Sequence, residues 1–369
     1  MSIASHPLGA LRLLVVDDSH YNRQIISDAF ADSRDVAVVG HASNGEQALR
    51  MVAELDPDVI TLDVEMPKMD GFTFLRILMH KKPTPVIVIS SRRSPENVFR
   101  AIELGALDFV SKPEVGEMST WQTELRDKIT QTKHADAHRI PTVGGSSPKL
   151  GATRVTPPQP PPQPLTPTSA QTASNARAGA FPLTVVGLAA STGGPGAILH
   201  ILSRIPATHT GAILIAQHMS PTFTRSFAER LDRTSPLTVL EATDGDPVIA
   251  GRVYVCPGGS CMELRKDANG LRVAVVPPSP ADRYVPNANR LLTSIAHVMG
   301  PRATALVLTG MADDGLEGAR SIRRVGGIVI AESEQTAVVN GMPGAVIREG
   351  LAHRILPLPD IAEELVALR

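Results

Sequence analysis

Two sets of residues in this chain have types and spacings suited to chemistry. The first is acidic: Asp17 and Asp18 end the apolar run "LRLLVV", Asp63 ends "DVITL", Ser90 closes "PVIVIS" and Lys112 follows "DFVS". Carboxylates converging at one edge repel one another unless a cation sits among them, and all-oxygen ligands suit Mg²⁺, which keeps some waters and pairs with phosphate. Asp63 is then placed to act as a nucleophile toward a phosphoryl donor. Mg²⁺ and Lys112 would neutralise the transferring oxygens, and the Ser90 hydroxyl would bind the product. Taken singly, a strand-end aspartate is as well explained as a helix cap.

The second set begins at the glycine-rich turn of "VVGLAASTGGPGAILHIL". A strand, a turn relaxed by Gly193 and Gly194 and a following helix suit either a phosphate cradle or an exposed nucleophile, Ser191. A dinucleotide site asks for G-x-G-x-x-G and for an acidic residue near the end of the second strand. The glycine spacing here is different, the second strand ends "AQH", and Phe181 to Ala228 holds no Asp or Glu. A P-loop Lys-Ser/Thr is missing too. A nucleophilic serine asks for a base and an acid that orients it. His218 ends "GAILIAQH" and Asp313–Asp314 follow "TALVLTGMA", so all three types stand at strand carboxyl ends, which one parallel sheet would bring to one edge.

The elements that must position these residues alternate along the chain. Up to about residue 130, short apolar β-branched runs alternate with amphipathic segments in five strand–helix units, which implies a parallel sheet covered on both faces. From Phe181 the alternation resumes with "LTVVGLAA", "GAILIAQH", "RVYVCPG", "LRVAVVP", "TALVLTG" and "GIVIAE", with a hairpin-like insertion expected around residues 251–276. Between them, residues 134–181 include "TPPQPPPQPLTPTSAQTASNARAGA", a composition that buries too little apolar surface to offset ordering. A flexible coil of this length spans on the order of 40 Å on average, so it tethers two domains without orienting them.

Composition sets further bounds. With 369 residues, 36 Lys+Arg against 37 Asp+Glu and 43% hydrophobic content, the chain fits two soluble domains and shows no basic excess of the kind nucleic-acid binding needs. The N-terminal apolar run ends in two aspartates, unlike a secretory signal or a membrane span, so a cytoplasmic protein with no membrane insertion is expected. Cys256 and Cys261, in "CPGGSC", fit neither a disulfide framework nor a four-ligand zinc site and are expected to be packed thiols.

Over residues 10–130, "VVDDS", "TLDVEMPKMDGFTFL", "VIVISS" and "GALDFVSKP" closely resemble the response-regulator receiver domain, a five-stranded parallel, flavodoxin-like fold. The resemblance implies Asp63 as phosphoacceptor, Asp17, Asp18 and Asp63 as Mg²⁺ ligands with the Glu65 carbonyl, and Ser90, Lys112 and Phe109 as switch residues. Over residues 183–369, "STGGPGA", "ILIAQHMSPTFTRSFAERLD", "EATDGDPVIAGRVYVCPGG", "LVLTGMADDGLEGA" and "VVNGMPGAV" resemble the catalytic domain of the CheB chemotaxis methylesterases, a doubly wound, mostly parallel α/β domain.

That second resemblance implies Ser191 as nucleophile, His218 as general base and then acid, Asp314 as the group orienting His218, Thr192 beside the nucleophile and the Met311 N–H as oxyanion donor, with no cofactor in the hydrolase site. The implied substrates are glutamate γ-methyl esters, and glutamines, on the cytoplasmic helices of methyl-accepting chemoreceptors. The implied phosphodonor is a CheA-type histidine kinase. Four positions depart from the family pattern: Ala189 for a glycine, Cys261 for a histidine, Val285 for a basic residue and Asn289 for an aspartate. The first is expected to crowd the turn and the last two to alter charge at the rim. The rival to a phosphorylation-regulated hydrolase is a phospho-switched, non-catalytic binding module. A transcriptional regulator is disfavoured by the absence of a basic recognition helix.

Overall fold

The computed structural model describes residues 9–91, 95–113, 116–135, 137–140 and 182–368. Of the expected linker, residues 134–181, residue 136 and residues 141–181 lie outside the described residues, while Ala137–Arg139 form a short turn.

The first sheet is built from β1 (Leu11–Val16), β2 (Val36–Ala42), β3 (Val59–Leu62), β4 (Val86–Ser90) and β5 (Asp108–Ser111), in the order β2-β1-β3-β4-β5. Every pairing is parallel. The continuous apolar runs explain this, because β3, β4 and β5 are buried along their whole length and so must be covered on both faces. The covering helices are α1 (His20–Asp28), α2 (Gly45–Leu55), α3 (Gly71–Lys81), α4 (Pro95–Glu103) and α5 (Met118–Gln131). Their starts are written locally: the side chains of Ser19, Asn44 and Asp70 accept the backbone N–H of Asn22, Gln47 and Thr73. Strand order reverses between β1 and β3, the place where such sheets collect ligands, and Asp17 and Asp63 follow those two strands.

The second sheet has seven strands in the order β14-β13-β12-β6-β7-β9-β8, parallel throughout. They are β6 (Val185–Ala190), β7 (Ala212–Gln217), β8 (Thr238–Glu241), β9 (Arg252–Val255), β12 (Ala303–Val307), β13 (Ile328–Glu332) and β14 (Arg354–Leu356). Its helices are α6 (Gly194–Leu202), α7 (Pro221–Thr234), α8 (Ala288–Met299), α9 (Leu316–Arg324), α10 (Met342–Arg348) and α11 (Leu358–Ala367). The central strands β6, β7 and β12 are fully buried. Each Leu, Ile or Val enclosed there contributes about 1.5–3 kcal/mol relative to exposure.

The hairpin is narrower than the sequence suggests. Arg252–Val255 pairs in parallel with β7 and β8, and only β10 (Cys261–Asp267) and β11 (Gly270–Val276) form an antiparallel pair, from Cys261 opposite Val276 to Asp267 opposite Gly270. The strand β9 belongs to the main sheet because Val253, Tyr254 and Val255 are all buried between layers, whereas the hairpin ends in exposed Arg265, Lys266 and Asp267.

The two halves touch through aromatic rings and an ion pair. Phe109 of β5 lies 4.5 Å from Phe223 of α7, ring centre to ring centre, and Phe99 of α4 stacks on Phe227 at 5.4 Å. Arg230 of α7 donates to Glu103 of α4, with Nε 2.8 Å from Oε1. At the end of α5 the chain makes two short turns, and Arg139 donates to the carbonyls of Glu334 and Ala337.

Candidate active site and phosphoacceptor site

Ser191 leaves the end of β6 and is fixed by its backbone. Its N–H donates to the Thr309 carbonyl at 3.1 Å, and its carbonyl accepts from Gly194 N at 2.8 Å and Gln217 Nε2 at 2.9 Å. Gly193 has φ of 80°, a left-handed conformation that glycine adopts without penalty. The turn after β12 comes equally close: a Cβ on Gly310 would stand 2.8 Å from the Ser191 Cβ, so only glycine lets the two loops meet. Two positions further on, Ala312 holds φ of 66°, a conformation costing roughly 1–2 kcal/mol for a residue with a Cβ. This turn is therefore kept in place by its surroundings.

His218 follows β7, its N–H donating to the Ala190 carbonyl at 3.1 Å. Its Nε2 lies 2.8 Å from Asp314 Oδ2, which leaves Nδ1 as the nitrogen available for proton transfer. Tyr284 stacks on the imidazole at 5.2 Å with planes 13° apart. Asp314 is fully buried and is not held by the histidine alone: Oδ2 also accepts from Ala288 N at 2.9 Å and Oδ1 from Asn289 N at 3.0 Å. These are the first-turn N–H groups of α8, the positive end of a helix dipole, which stabilises a carboxylate.

Ser191, Thr192, His218 and Met311 line one cavity of about 1040 Å³, with Asp314 behind the imidazole. One wall of the cavity comes from α5 of the first domain, through Thr123, Asp127 and Gln131 among others, and Phe109 lines it too. The Thr192 hydroxyl donates to Gln131 Oε1 across the domain boundary.

The departures from the family pattern find places here. Ala189 is buried in β6, and its methyl faces Gly315: a Cβ on Gly315 would be 3.3 Å from it, so the room comes from a glycine across the sheet and not from the Ser191 turn. Asn289 is an anchor between helices: its Oδ1 accepts from Gly315 N at 3.0 Å and Gly318 N at 2.9 Å, at the start of α9. An amide meets both donors without setting a second negative charge beside Asp314. Val285 lines the cavity, and Cys261 is buried with its Sγ 3.8 Å from Asp282 Oδ2. Both cysteines are free and buried, and burial raises both thiols above their ordinary range.

At the other site, one carboxylate oxygen each from Asp17, Asp18 and Asp63 lie within 4.8 Å of one another. Lys112 Nζ is 2.5 Å from Asp63 Oδ2 and 3.2 Å from Asp17 Oδ2. Burial pushes the Asp17 carboxyl up, the Lys112 charge pulls it down and Asp63 adds to the rise, so the net shift is upward. Lys112 is pulled down by burial, but its bond to Asp63 outweighs this and holds it above its ordinary value. Three acids beside one lysine, which pairs with Asp63 and Asp17, leave an excess of negative charge, which fits a divalent cation on hard oxygen donors. Ser90 is buried at the end of β4, Glu65 N donates to Asp63 Oδ1 at 3.1 Å, and the Glu65 carboxylate accepts from Asn97 Nδ2 of α4 at 2.9 Å. Phe109 is buried and turned toward the second domain.

Sequence reasoning missed Gln131, Tyr284, the bridging use of Asn289 and Glu332, described below. Only Asn289 carried a signal, as a departure from a pattern.

A parallel sheet with an acidic cluster and a lysine at its switch point, packed on a second sheet that gathers serine, histidine and aspartate at one edge, defines a response regulator whose output domain is a hydrolase. The chain belongs to the CheB methylesterase family: the CheB methylesterase family model matches residues 186–365 and the response regulator receiver domain model matches residues 13–120. It is 44% identical to protein-glutamate methylesterase/protein-glutamine glutaminase 1 of Myxococcus xanthus (strain DK1622), over 98% of this chain and 97% of that protein. It is 38% identical to the protein-glutamate methylesterase/protein-glutamine glutaminase of Pyrococcus abyssi (strain GE5 / Orsay), over 96% of this chain and 93% of that one. A solved structure, the Thermotoga maritima CheB methylesterase catalytic domain, is 38% identical with a TM-score of 0.49, covering 50% of this chain and 98% of that one.

Proposed function

We propose that this chain removes methyl groups from glutamate γ-methyl esters on chemoreceptor helices, with Ser191 as nucleophile, and that phosphorylation of Asp63 governs access to that serine. His218 takes the Ser191 proton through Nδ1 as Oγ attacks the ester carbonyl, while Asp314 holds the ring and stabilises the imidazolium. The Met311 N–H meets the charge that develops on the carbonyl oxygen, and Thr192 lies beside the nucleophile. Collapse transfers the proton to the leaving oxygen, releasing methanol and leaving an acyl-enzyme. Water, deprotonated by His218, then frees glutamate and Ser191. A glutamine carboxamide follows the same route and releases ammonia.

The observation that carries this reading is the His218–Asp314 pair at 2.8 Å in a cavity shared with Ser191 and walled by α5. In the first domain Asp17, Asp18, Asp63 and the Glu65 carbonyl would hold Mg²⁺, which supplies charge neutralisation for phosphoryl transfer from a CheA-type histidine kinase. Ser90 and Lys112 would bind the phosphoryl oxygens. Phe109, packed on Phe223, and Gln131, bonded to Thr192, supply a path by which a change at Asp63 loosens the wall over the serine. We assign residues 10–130 to the receiver, 134–181 to the linker and 183–369 to the hydrolase. We place the protein in the cytoplasm, acting on the cytoplasmic part of its receptors; among the described residues no helix is long and apolar enough to cross a membrane. The test is methanol release from methyl-esterified receptor membranes by wild type and Ser191→Ala. Release lost in the variant supports the assignment, and release retained overturns it.

A further inference from the structure

Glu332 ends β13 with 1% of its surface exposed, and no step above uses it. Its Oε2 accepts the Thr309 N–H at 2.8 Å, and its Oε1 lies 3.0 Å from the Thr336 hydroxyl. Thr309 is the junction of the site. Its carbonyl receives the Ser191 N–H at 3.1 Å, and its hydroxyl donates to the Thr192 carbonyl at 3.0 Å and accepts the Val339 N–H at 2.9 Å. Gly310 and Met311 follow directly. One carboxyl group thus fixes the backbone to which both the nucleophile and the oxyanion donor are tied.

We propose that Glu332 is a positioning residue of the hydrolase, the anchor that holds the Thr309–Met311 turn against Ser191, and that this anchor makes the turn responsive to pH. The inference rests on the assignment of Ser191 and Met311 given above. Among the described residues, a carboxylate in this place has two hydrogen-bond donors and no cationic partner. Nearby ionic side chains are engaged elsewhere: Arg354 of β14 with Glu364 of α11 at 3.6 Å, Arg320 of α9 with Glu317 and Glu349, Arg323 with His353, and Arg139 with two backbone carbonyls. The strand β12 carries no charged residue, and neither Arg348 of α10 nor Asp360 and Glu363 of α11 contributes a charge interaction to Glu332. Burial, opposed by the Thr309 and Thr336 bonds, raises the carboxyl from its ordinary 4.5 to about 7.

As the neutral acid, Glu332 accepts from Thr309 N through Oε2 and donates its proton to the Thr336 hydroxyl oxygen, which also receives the Leu358 N–H at 2.9 Å. Loss of that proton leaves a buried charge met by two neutral donors and, among the described residues, by no cation. The sign follows from linkage. A carboxyl raised in the folded state keeps its proton where the unfolded chain has lost it, so its contribution falls as pH rises from 4.5 to about 7. Glutamine keeps one acceptor for Thr309 N and one donor for Thr336 without the charge.

The experiment compares wild type, Glu332→Gln and Glu332→Ala in the full-length protein. Thermal melts from about pH 5 to pH 8 read the titration without any chemistry. The expected result is that Glu332→Gln gains several degrees of Tm over wild type at the alkaline end and little at the acid end, as a charge penalty removed from a domain of this size predicts. Methanol release then reads positioning. Wild type should show an alkaline fall in kcat that Glu332→Gln lacks, and Glu332→Ala should lose roughly 10- to 100-fold in kcat with KM near wild type, the cost of misplacing reacting groups. Parallel Tm curves for wild type and Glu332→Gln, or an Ala variant with wild-type kcat, overturn the proposal. If Ser191→Ala keeps its activity, the site assignment fails, and the melting curves still decide the titration by themselves.

Discussion

Asp314 Oδ2 lies 2.8 Å from His218 Nε2 and 2.9 Å from the Ala288 backbone nitrogen, so one oxygen ties the His218 imidazole to the first turn of α8. A buried carboxylate is tolerated only when its lone pairs are engaged. Here the helix start does that before any proton moves, and in the proposed mechanism the imidazolium formed on attack meets a charge already in place.

Replacing Asp314 by Asn tests this relationship. The amide still fills the space but no longer stabilises the imidazolium or selects its tautomer, and a comparable change in a serine protease triad lowers kcat by about 10⁴. We expect kcat for methanol release to fall by about 10³ or more. An Asp314→Asn enzyme within a few-fold of wild type would show that the carboxylate does not orient the base.

Asn289 joins the starts of α8 and α9 through Gly315 and Gly318. Asn289→Ala strips the acceptor from two N–H groups at a helix start, a loss of about 1–2 kcal/mol. Chemical denaturation of the full-length protein should show that decrease. Because Gly315 is next to Asp314, kcat should drop as well, and unchanged stability would mean that water replaces the amide without cost.

The domain contact gives a third expectation. Arg230 and Glu103 meet at the edge of the Phe109–Phe223 and Phe99–Phe227 contacts. Arg230→Glu sets like charges against each other and should raise methanol release without phosphodonor several-fold, narrowing the stimulation by phosphodonor. An unchanged ratio of stimulated to basal rate would argue that this face does not hold the enzyme closed.

Asp18 is the exposed member of the acidic cluster, so it can be changed with little effect on the core. Calorimetric titration should show Mg²⁺ binding weakened at least ten-fold in Asp18→Ala with Tm near wild type. Equal affinity would remove Asp18 from the ligand set.

Much of this architecture was legible in the chain. "LRLLVV", "DVITLD" and "PVIVIS" announce buried parallel strands because only a strand covered on both faces is apolar without interruption, and the ends of such strands place Asp17, Asp63, Ser191 and His218. Short edge strands leave no such run: Thr238–Glu241 and Arg354–Leu356 are partly exposed and mix polar with apolar residues, so neither shows the continuous apolar stretch of the buried strands. The hairpin is narrower than its sequence pattern suggests because the strand of Arg252–Val255 reads the same in a hairpin and in a parallel sheet. Contacts between domains, such as Gln131 on Thr192 and Phe109 on Phe223, depend on matching surfaces far apart in sequence and leave no local pattern. Glu332 was hidden for a different reason: "GIVIAE" looks like any strand with a polar end, and only the fold shows that this end is buried.

The most direct test of the central claim is methanol release from methyl-esterified receptor membranes, with and without Mg²⁺ and a small phosphodonor, for wild type, Ser191→Ala and Asp63→Asn. The account predicts release that rises with phosphodonor in wild type, does not respond in Asp63→Asn and is absent in Ser191→Ala. Release that persists without Ser191, or stimulation that persists without Asp63, would contradict it.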